Sequence, residues 1–133
     1  MLDTSALLTL AFEEAGYKEV ETLLSEAGSG RLRVLGSFIS RMEYLYVHLQ
    51  RLSAAQANEC YENLMHTPIE WIENEDPVLR LAAEYKARYS LSLADAWIAA
   101  TARLYNAILV HRDKEFDVLE KEIELQKLAK KYQ

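Results

Sequence analysis

Leu91-Ser92-Leu93-Ala94-Asp95-Ala96-Trp97-Ile98-Ala99-Ala100-Thr101-Ala102 reads as a helix opened by Ser92, a good N-cap residue. From Leu93 onward only Asp95 and Thr101 are polar, so this helix is expected to be buried on several sides. Its many alanines would let it pack close to a sheet. A carboxylate in such a place costs several kcal/mol unless it is paired, hydrogen-bonded or bound to a metal. Ser92-x-x-Asp95 resembles a capping box, which gives Asp95 a structural role. The same helix start could also orient a carboxylate toward a cation. After this helix, Ala107 to Val110 reads as an apolar strand, and Asp113 follows it within three residues.

At the start of the chain, Asp3-Thr4-Ser5 offers N-cap chemistry for a helix through Phe12, behind a very short apolar start, Met1-Leu2. Gly16 interrupts, and Tyr17 to Ala27 reads as a second helix ended by Gly28-Ser29-Gly30. Leu32, Val34 and Leu35 form a strand candidate. Ser37 to Arg51 is a helix whose apolar stripe is expected to comprise Phe38, Ile39, Met42, Leu45, Tyr46 and Leu49. Ser53 should cap the next helix, which carries Cys60, Leu64 and Met65. Ile69 to Ile72 is a short strand. Asp76-Pro77 is expected to open a helix to about Tyr89, with Asp as N-cap and Pro at the first helical position. The tail admits two readings. Glu122 to Leu128 alternates like an edge strand, while Val118, Leu125, Leu128 and Tyr132 also fit a helix. The order β-α-α-β-α-α-β-α-α-β predicts an α/β fold on a mainly parallel sheet. Such sheets bind ligands beyond the carboxyl ends of their strands, where the strand order reverses.

The 133 residues suffice for one domain with one core and leave no room for a second. Half the residues are hydrophobic and 27% are charged, which excludes a disordered chain. With 15 Lys+Arg against 21 Asp+Glu the net charge is −6, so general electrostatic binding of DNA is excluded and nucleic acid would need a local basic patch. The single cysteine, Cys60, has no internal disulfide partner, and no Cys/His cluster has zinc spacing. A reducing cytoplasm is the simplest expectation. No basic start precedes an apolar run, and the longest nearly uncharged stretch contains Asp95 and is too short to cross a bilayer. Neither a signal peptide nor a membrane span is expected.

Four acids fall where the strand-end rule would put a site: Asp3, Glu43, Asp95 and Asp113. Each also has an ordinary explanation: a cap for Asp3, a solvated border position for Glu43, a capping box for Asp95, a polar turn for Asp113. Together they say more. If Asp3 and Asp113 end neighbouring parallel strands, they lie ~5–8 Å apart on one sheet edge. Glu43 and Asp95, each on a helix, would join them. Carboxylates that close raise one another's pKa unless a cation joins them, and Mg²⁺ or Mn²⁺ is the hard, oxygen-seeking partner that suits.

These residues carry a resemblance. Over essentially its full length the chain is similar to a PIN domain of the VapC ribonuclease toxin type. Leu2-Asp3-Thr4-Ser5-Ala6-Leu7-Leu8 resembles the opening motif, and Ser37 to Tyr46, with Glu43 inside, the second. Leu91 to Ala102 is close to the third, and Leu109-Val110-His111-Arg112-Asp113-Lys114-Glu115-Phe116 resembles the fourth. The resemblance implies a PIN-like doubly wound α/β fold over residues 1–133, with a mainly parallel sheet of four to five strands and helices on both faces. It favours a final edge strand near Glu122 to Leu125. It further implies a Mg²⁺ or Mn²⁺ site for hydrolysis of RNA phosphodiesters, with Asp3 and Asp95 as direct ligands and Glu43 and Asp113 completing the catalytic cluster. The implied partners are RNA, a small antitoxin protein and a second copy of the chain, with DNA reached only through the antitoxin. Two departures stand out. Met1-Leu2 is shorter than the usual first strand, so either the strand is clipped or the true start lies upstream. His111 stands where many members have Thr or Ser.

The implied reaction is metal-assisted hydrolysis, in which Glu43 or Asp113 could position or deprotonate water. Arg112 and Lys114 flank Asp113, and Arg41 is near Glu43; all three could meet RNA or be ordinary solvated charges. Tyr44, Tyr46 and Trp97 could stack on bases, although core or dimer packing is the plainer reading. Apolar and aromatic residues on the first-half helices, including Tyr44, Tyr46 and Leu49, favour a homodimer. The alternatives are an inactive PIN-like binding module, an RNA-processing nuclease unrelated to toxicity, or another Mg²⁺-dependent phosphoryl enzyme. The last usually has a paired acidic motif after one strand, which this sequence lacks.

Overall fold

The computed structural model describes residues 1–129. Four parallel strands, β1 (Val34–Ser37), β2 (Ile69–Ile72), β3 (Leu109–His111) and β4 (Leu125–Lys127), pair as β1 with β2 and β3 with β4. Leu2 joins the two pairs. It bridges Gly36 of β1 and Val110 of β3, both in parallel sense. Its N–H donates to Leu35 O, Val110 N–H donates to Met1 O, and Asp3 N–H donates to Val110 O. One residue thus acts as a central fifth strand, giving the order β2-β1-Leu2-β3-β4. The sheet switches direction of winding at Leu2, so Asp3 leaves the sheet at the topological switch point.

Alternation along the strands sorts side chains into two cores. Met1, Leu35, Ile72 and Leu109 face α5 (Asp76–Arg88) and α6 (Leu93–Leu104). Leu2, Val34, Ile69 and Val110 face the layer of α1 (Thr4–Ala11), α2 (Tyr17–Gly28), α3 (Phe38–Arg51) and α4 (Ala54–Met65). The expected small-residue helix is α6: Ala96, Ala99, Ala100 and Ala102 are fully buried. Close approach also shapes β1. A Cβ on Gly36 would sit 2.6 Å from the Trp71 ring of the neighbouring strand.

Several boundaries differ from expectation. The strand expected at 32–35 begins at Val34 and runs to Ser37, with Leu32 outside the sheet and exposed. Ser37 then caps α3 directly, accepting from Ile39 N–H. Asp76 is not a cap. Glu75 occupies that position without a side-chain bond, and Asp76 is the first helical residue. Along α3 the buried line is Ser40, Tyr44 and His48, while Met42, Tyr46 and Leu49 are exposed. The period was right and its phase was not. Ser40 is hidden because its hydroxyl pairs with Thr4, and His48 because its Nδ1 meets Tyr44 O at 2.7 Å and its ring stacks on Phe12. The tail makes a 3₁₀ turn (Lys114–Leu119) and the edge strand β4, with Val118 exposed. The strand therefore lies slightly later than Glu122 to Leu125, and Tyr132 falls outside the described residues.

Candidate metal centre

Asp3 follows the central bridge and caps α1, so its carboxylate stays at the carboxyl edge of the sheet. Its Oδ2 accepts from the Ser5 N–H at 3.0 Å and from the Ser5 hydroxyl. Its Oδ1 is buried and has no hydrogen-bond partner. Ser5 Oγ in turn accepts from Arg112 N–H at 3.0 Å, tying the start of α1 to the loop after β3. Burial, and to a lesser degree the Glu43 charge, pushes the Asp3 carboxyl up to about 6, against the opposing pull of its bonds to Ser5.

Asp95 lies in the first turn of α6. The Ser92 hydroxyl accepts from the Asp95 N–H at 3.1 Å, so Ser92 is the cap. The reciprocal half of a capping box is not made, unlike at Ser53 and Gln56 of α4. The Asp95 side chain instead turns toward two acids after β3. One carboxylate oxygen each from Asp95, Asp113 and Glu115 lies within 4.8 Å of the others. Burial first, then the neighbouring Glu115, Asp3 and Asp113, pushes the Asp95 carboxyl up to about 8.

Asp113 is placed by two bonds: its N–H donates to His111 Nδ1 at 3.1 Å, and its Oδ1 accepts from Glu115 N–H at 3.0 Å. The His111 ring is buried on β3 against Phe116, and burial lowers its basicity, so Nδ1 is kept as an acceptor. Glu43, one residue before the buried Tyr44 on α3, accepts from the Thr4 hydroxyl at 2.6 Å. The structure brings all four singled-out acids, Asp3, Glu43, Asp95 and Asp113, to the wall of one small cleft of about 160 Å³. Glu115 was not singled out from the sequence. Its signal was there, two residues past Asp113 in a turn that Asp113 caps, but Arg-Asp-Lys-Glu reads as plain surface charge.

The PIN domain family model matches residues 1–122. The chain belongs to the PIN-domain family. No curated protein matches it by sequence. Among solved structures, a chain of VapBC2 from Rickettsia felis, bound to a DNA fragment from its promoter, is 18% identical with a TM-score of 0.76, covering 97% of this chain and 98% of that one. A chain of DNA-bound VapBC from Salmonella typhimurium is 19% identical with a TM-score of 0.76, covering 96% of each. A chain of a toxin-antitoxin complex from Klebsiella pneumoniae is 20% identical with a TM-score of 0.68, covering 97% of each. At these identities the likeness is one of fold.

The acids of this PIN domain fit a hard divalent cation. Carboxylate oxygens of Asp95, Asp113 and Glu115 crowd together, burial raises the Asp3 and Asp95 carboxyls, and Asp3 Oδ1 sits buried and unpartnered beside them. A cation would relieve both costs at once. The cationic residues expected near the acids divide. Arg112 and Lys114 line the adjoining depression. Arg41 is engaged elsewhere, paired with Glu73 at 2.6 Å and lying over the Trp71 ring. Of the aromatics, Tyr46 lines the cleft, Tyr44 is buried in the core, and Trp97 packs edge-on against Phe38.

Proposed function

We propose that this PIN domain, taken as one domain over residues 1–133, is a Mg²⁺- or Mn²⁺-dependent endoribonuclease of the VapC type and the toxin of a toxin–antitoxin pair. The observation that carries the reading is the convergence of Asp95, Asp113 and Glu115 beside the unpartnered Asp3 Oδ1, at the switch point of the sheet. Asp3 and Asp95 are assigned as direct ligands, with Asp113 and Glu115 sharing the load and Glu43 at the border of the cleft. A bound divalent cation would supply charge neutralisation at the phosphate and a water of lowered pKa. The protein's own part is placement. Ser5 holds one oxygen of Asp3 and leaves the other free, and Ser92 fixes the first turn of α6 under Asp95. His111 holds the Asp113 backbone, and Thr4 holds Glu43, which could position or deprotonate the attacking water. Cys60 lies on α4, away from the acids, and takes no part.

The assembly follows from the same reading. Structural relatives come from toxin–antitoxin complexes, two of them with DNA. A small antitoxin is therefore assigned as partner, with promoter DNA reached through it, since a net charge of −6 disfavours direct contact. Exposed Met42, Tyr46 and Leu49 on α3 support a homodimer. No described helix is long and apolar enough to cross a membrane, and the cytoplasm is the proposed location. Incubating the purified protein with a panel of RNAs, with and without Mg²⁺ or Mn²⁺ and beside Asp95→Asn, tests the activity. Metal-dependent cleavage that Asp95→Asn abolishes is expected. Metal-independent cleavage, or none with any RNA, would count against it and favour a binding module.

A further inference from the structure

Beside the acidic cleft lies a larger depression of about 580 Å³ that shares Ser5, Leu8 and Asp113 with it. Three cations from three places in the chain line it: Arg51 at the end of α3, Arg112 after β3, and Lys114 at the start of the 3₁₀ turn. Glu14, Asp113 and Glu115 line the same depression. Two of the three cations are held in place. The Arg51 guanidinium lies 4.4 Å from the centre of the Phe12 ring, which is itself backed by a stack on His48. Arg112 is largely buried, donating to Thr9 Oγ1 at 3.3 Å and pairing with Glu14 at 3.4 Å. Neither Arg51 nor Lys114 forms an ion pair among the described residues.

The acids on the same wall do not answer these charges. Glu14 is engaged by Arg112, while Asp113 and Glu115 each bring a carboxylate oxygen within 4.8 Å of one on Asp95. Two free cations therefore border the acidic cleft on the side of Asp113. An oriented guanidinium on an aromatic ring and a mobile ammonium suit an extended anion with phosphate oxygens. We infer that the Arg51–Arg112–Lys114 depression is a second anion subsite, which binds the backbone phosphate adjoining the scissile one in a single-stranded RNA. Arg112, fixed by Thr9 and Glu14, forms its floor, and Arg51 and Lys114 contact the phosphate. The inference rests on the ribonuclease reading above and extends it by assigning the direction in which the strand leaves the acidic cleft, past Asp113 and away from Glu43.

The test uses the full chain and a fluorescein-labelled single-stranded 12-nucleotide RNA, with anisotropy measured in EDTA so that binding is read apart from cleavage. The double variant Arg51→Ala/Lys114→Ala is expected to bind at least tenfold more weakly in moderate salt. Its dependence of log affinity on log salt should be shallower by about 0.7, the value for one neutralised phosphate of a single strand. Arg51→Lys, which keeps the charge, should keep the slope. With Mg²⁺ or Mn²⁺ present, the double variant should raise KM with little change in kcat. An unchanged slope would overturn the subsite even if the wild-type protein cleaves RNA, as would a lowered Tm with unchanged RNA affinity. Failure of the wild-type protein to cleave any RNA, with the slope change present, would sink the ribonuclease reading and leave the subsite standing. Loss of affinity for a polyglutamate peptide rather than for RNA would assign the depression to protein carboxylates and overturn it.

Discussion

At the scale of single residues, Asp95 has two possible occupations that one substitution separates. Its carboxyl is raised to about 8 from an ordinary 3.8, first by burial and then by neighbouring acids. The unfolded chain therefore releases this proton first. Between about pH 4 and pH 8 the folded form holds a proton that the unfolded form has lost, so the stability of the metal-free protein falls as pH rises. Asp3, raised to about 6, adds to the fall over the lower part of that window. Thermal melts in EDTA should show a lower Tm at pH 8 than at pH 5, and added Mn²⁺ should reverse the loss. Asp95→Asn leaves the cap intact, because Ser92 accepts from a backbone N–H. Relief on the order of 1–2 kcal/mol should raise its metal-free Tm at pH 8 by about 3–8 °C while RNA cleavage is lost. Glu115→Gln tests the acid that sequence reasoning passed over. Substituting even an outer partner of a metal site costs about 10–100-fold in affinity, so Mn²⁺ binding by calorimetry should weaken at least tenfold. Unchanged Mn²⁺ affinity would remove Glu115 from the centre.

At the scale of elements, caps and close approaches decide where the acids point. Ser92→Ala should cost about 1 kcal/mol of stability through the lost cap. Because that cap holds the turn bearing Asp95, cleavage should fall as well, whereas Ser53→Ala on α4 should cost stability alone. Parallel melting and cleavage assays of the two variants check this. Gly36→Ala would force a methyl into the Trp71 ring and should destabilise by about 1–3 kcal/mol, read from denaturant midpoints. Element order and most helix starts were legible because they rest on local chemistry: Asp3, Ser53 and Ser92 each cap the helix expected of them. What was not legible depends on partners distant in sequence. The buried face of α3 includes Ser40 and His48 only because Thr4 and Phe12, more than thirty residues earlier, satisfy and cover them. Glu115 joins the acids because Asp113 caps a 3₁₀ turn, a geometry that a run of charges does not announce.

At the scale of the whole molecule, the winding reverses at a strand one residue long, and chemistry gathers where it reverses. Leu2 holds β1 and β3 together, so Asp3 meets Asp113 although they lie at opposite ends of the chain. That juxtaposition could be anticipated from parallel strand order; the basic depression beside it could not, since Arg51, at the end of α3, is distant in sequence from Arg112 and Lys114. Met42, Tyr46 and Leu49 face outward on α3, and Tyr46 also lines the cleft. A homodimer through α3 should appear in light scattering at micromolar concentration, and Met42→Glu/Leu49→Glu should convert it to a folded monomer. A wild-type monomer would contradict the α3 interface. Whether the acids form a divalent-metal centre is decided by anomalous diffraction from Mn²⁺-soaked crystals. A peak among Asp3, Asp95, Asp113 and Glu115 is expected, and it should be absent from Asp95→Asn crystals. A cleft without anomalous density at millimolar Mn²⁺, or a peak that persists in Asp95→Asn, would contradict the metal centre.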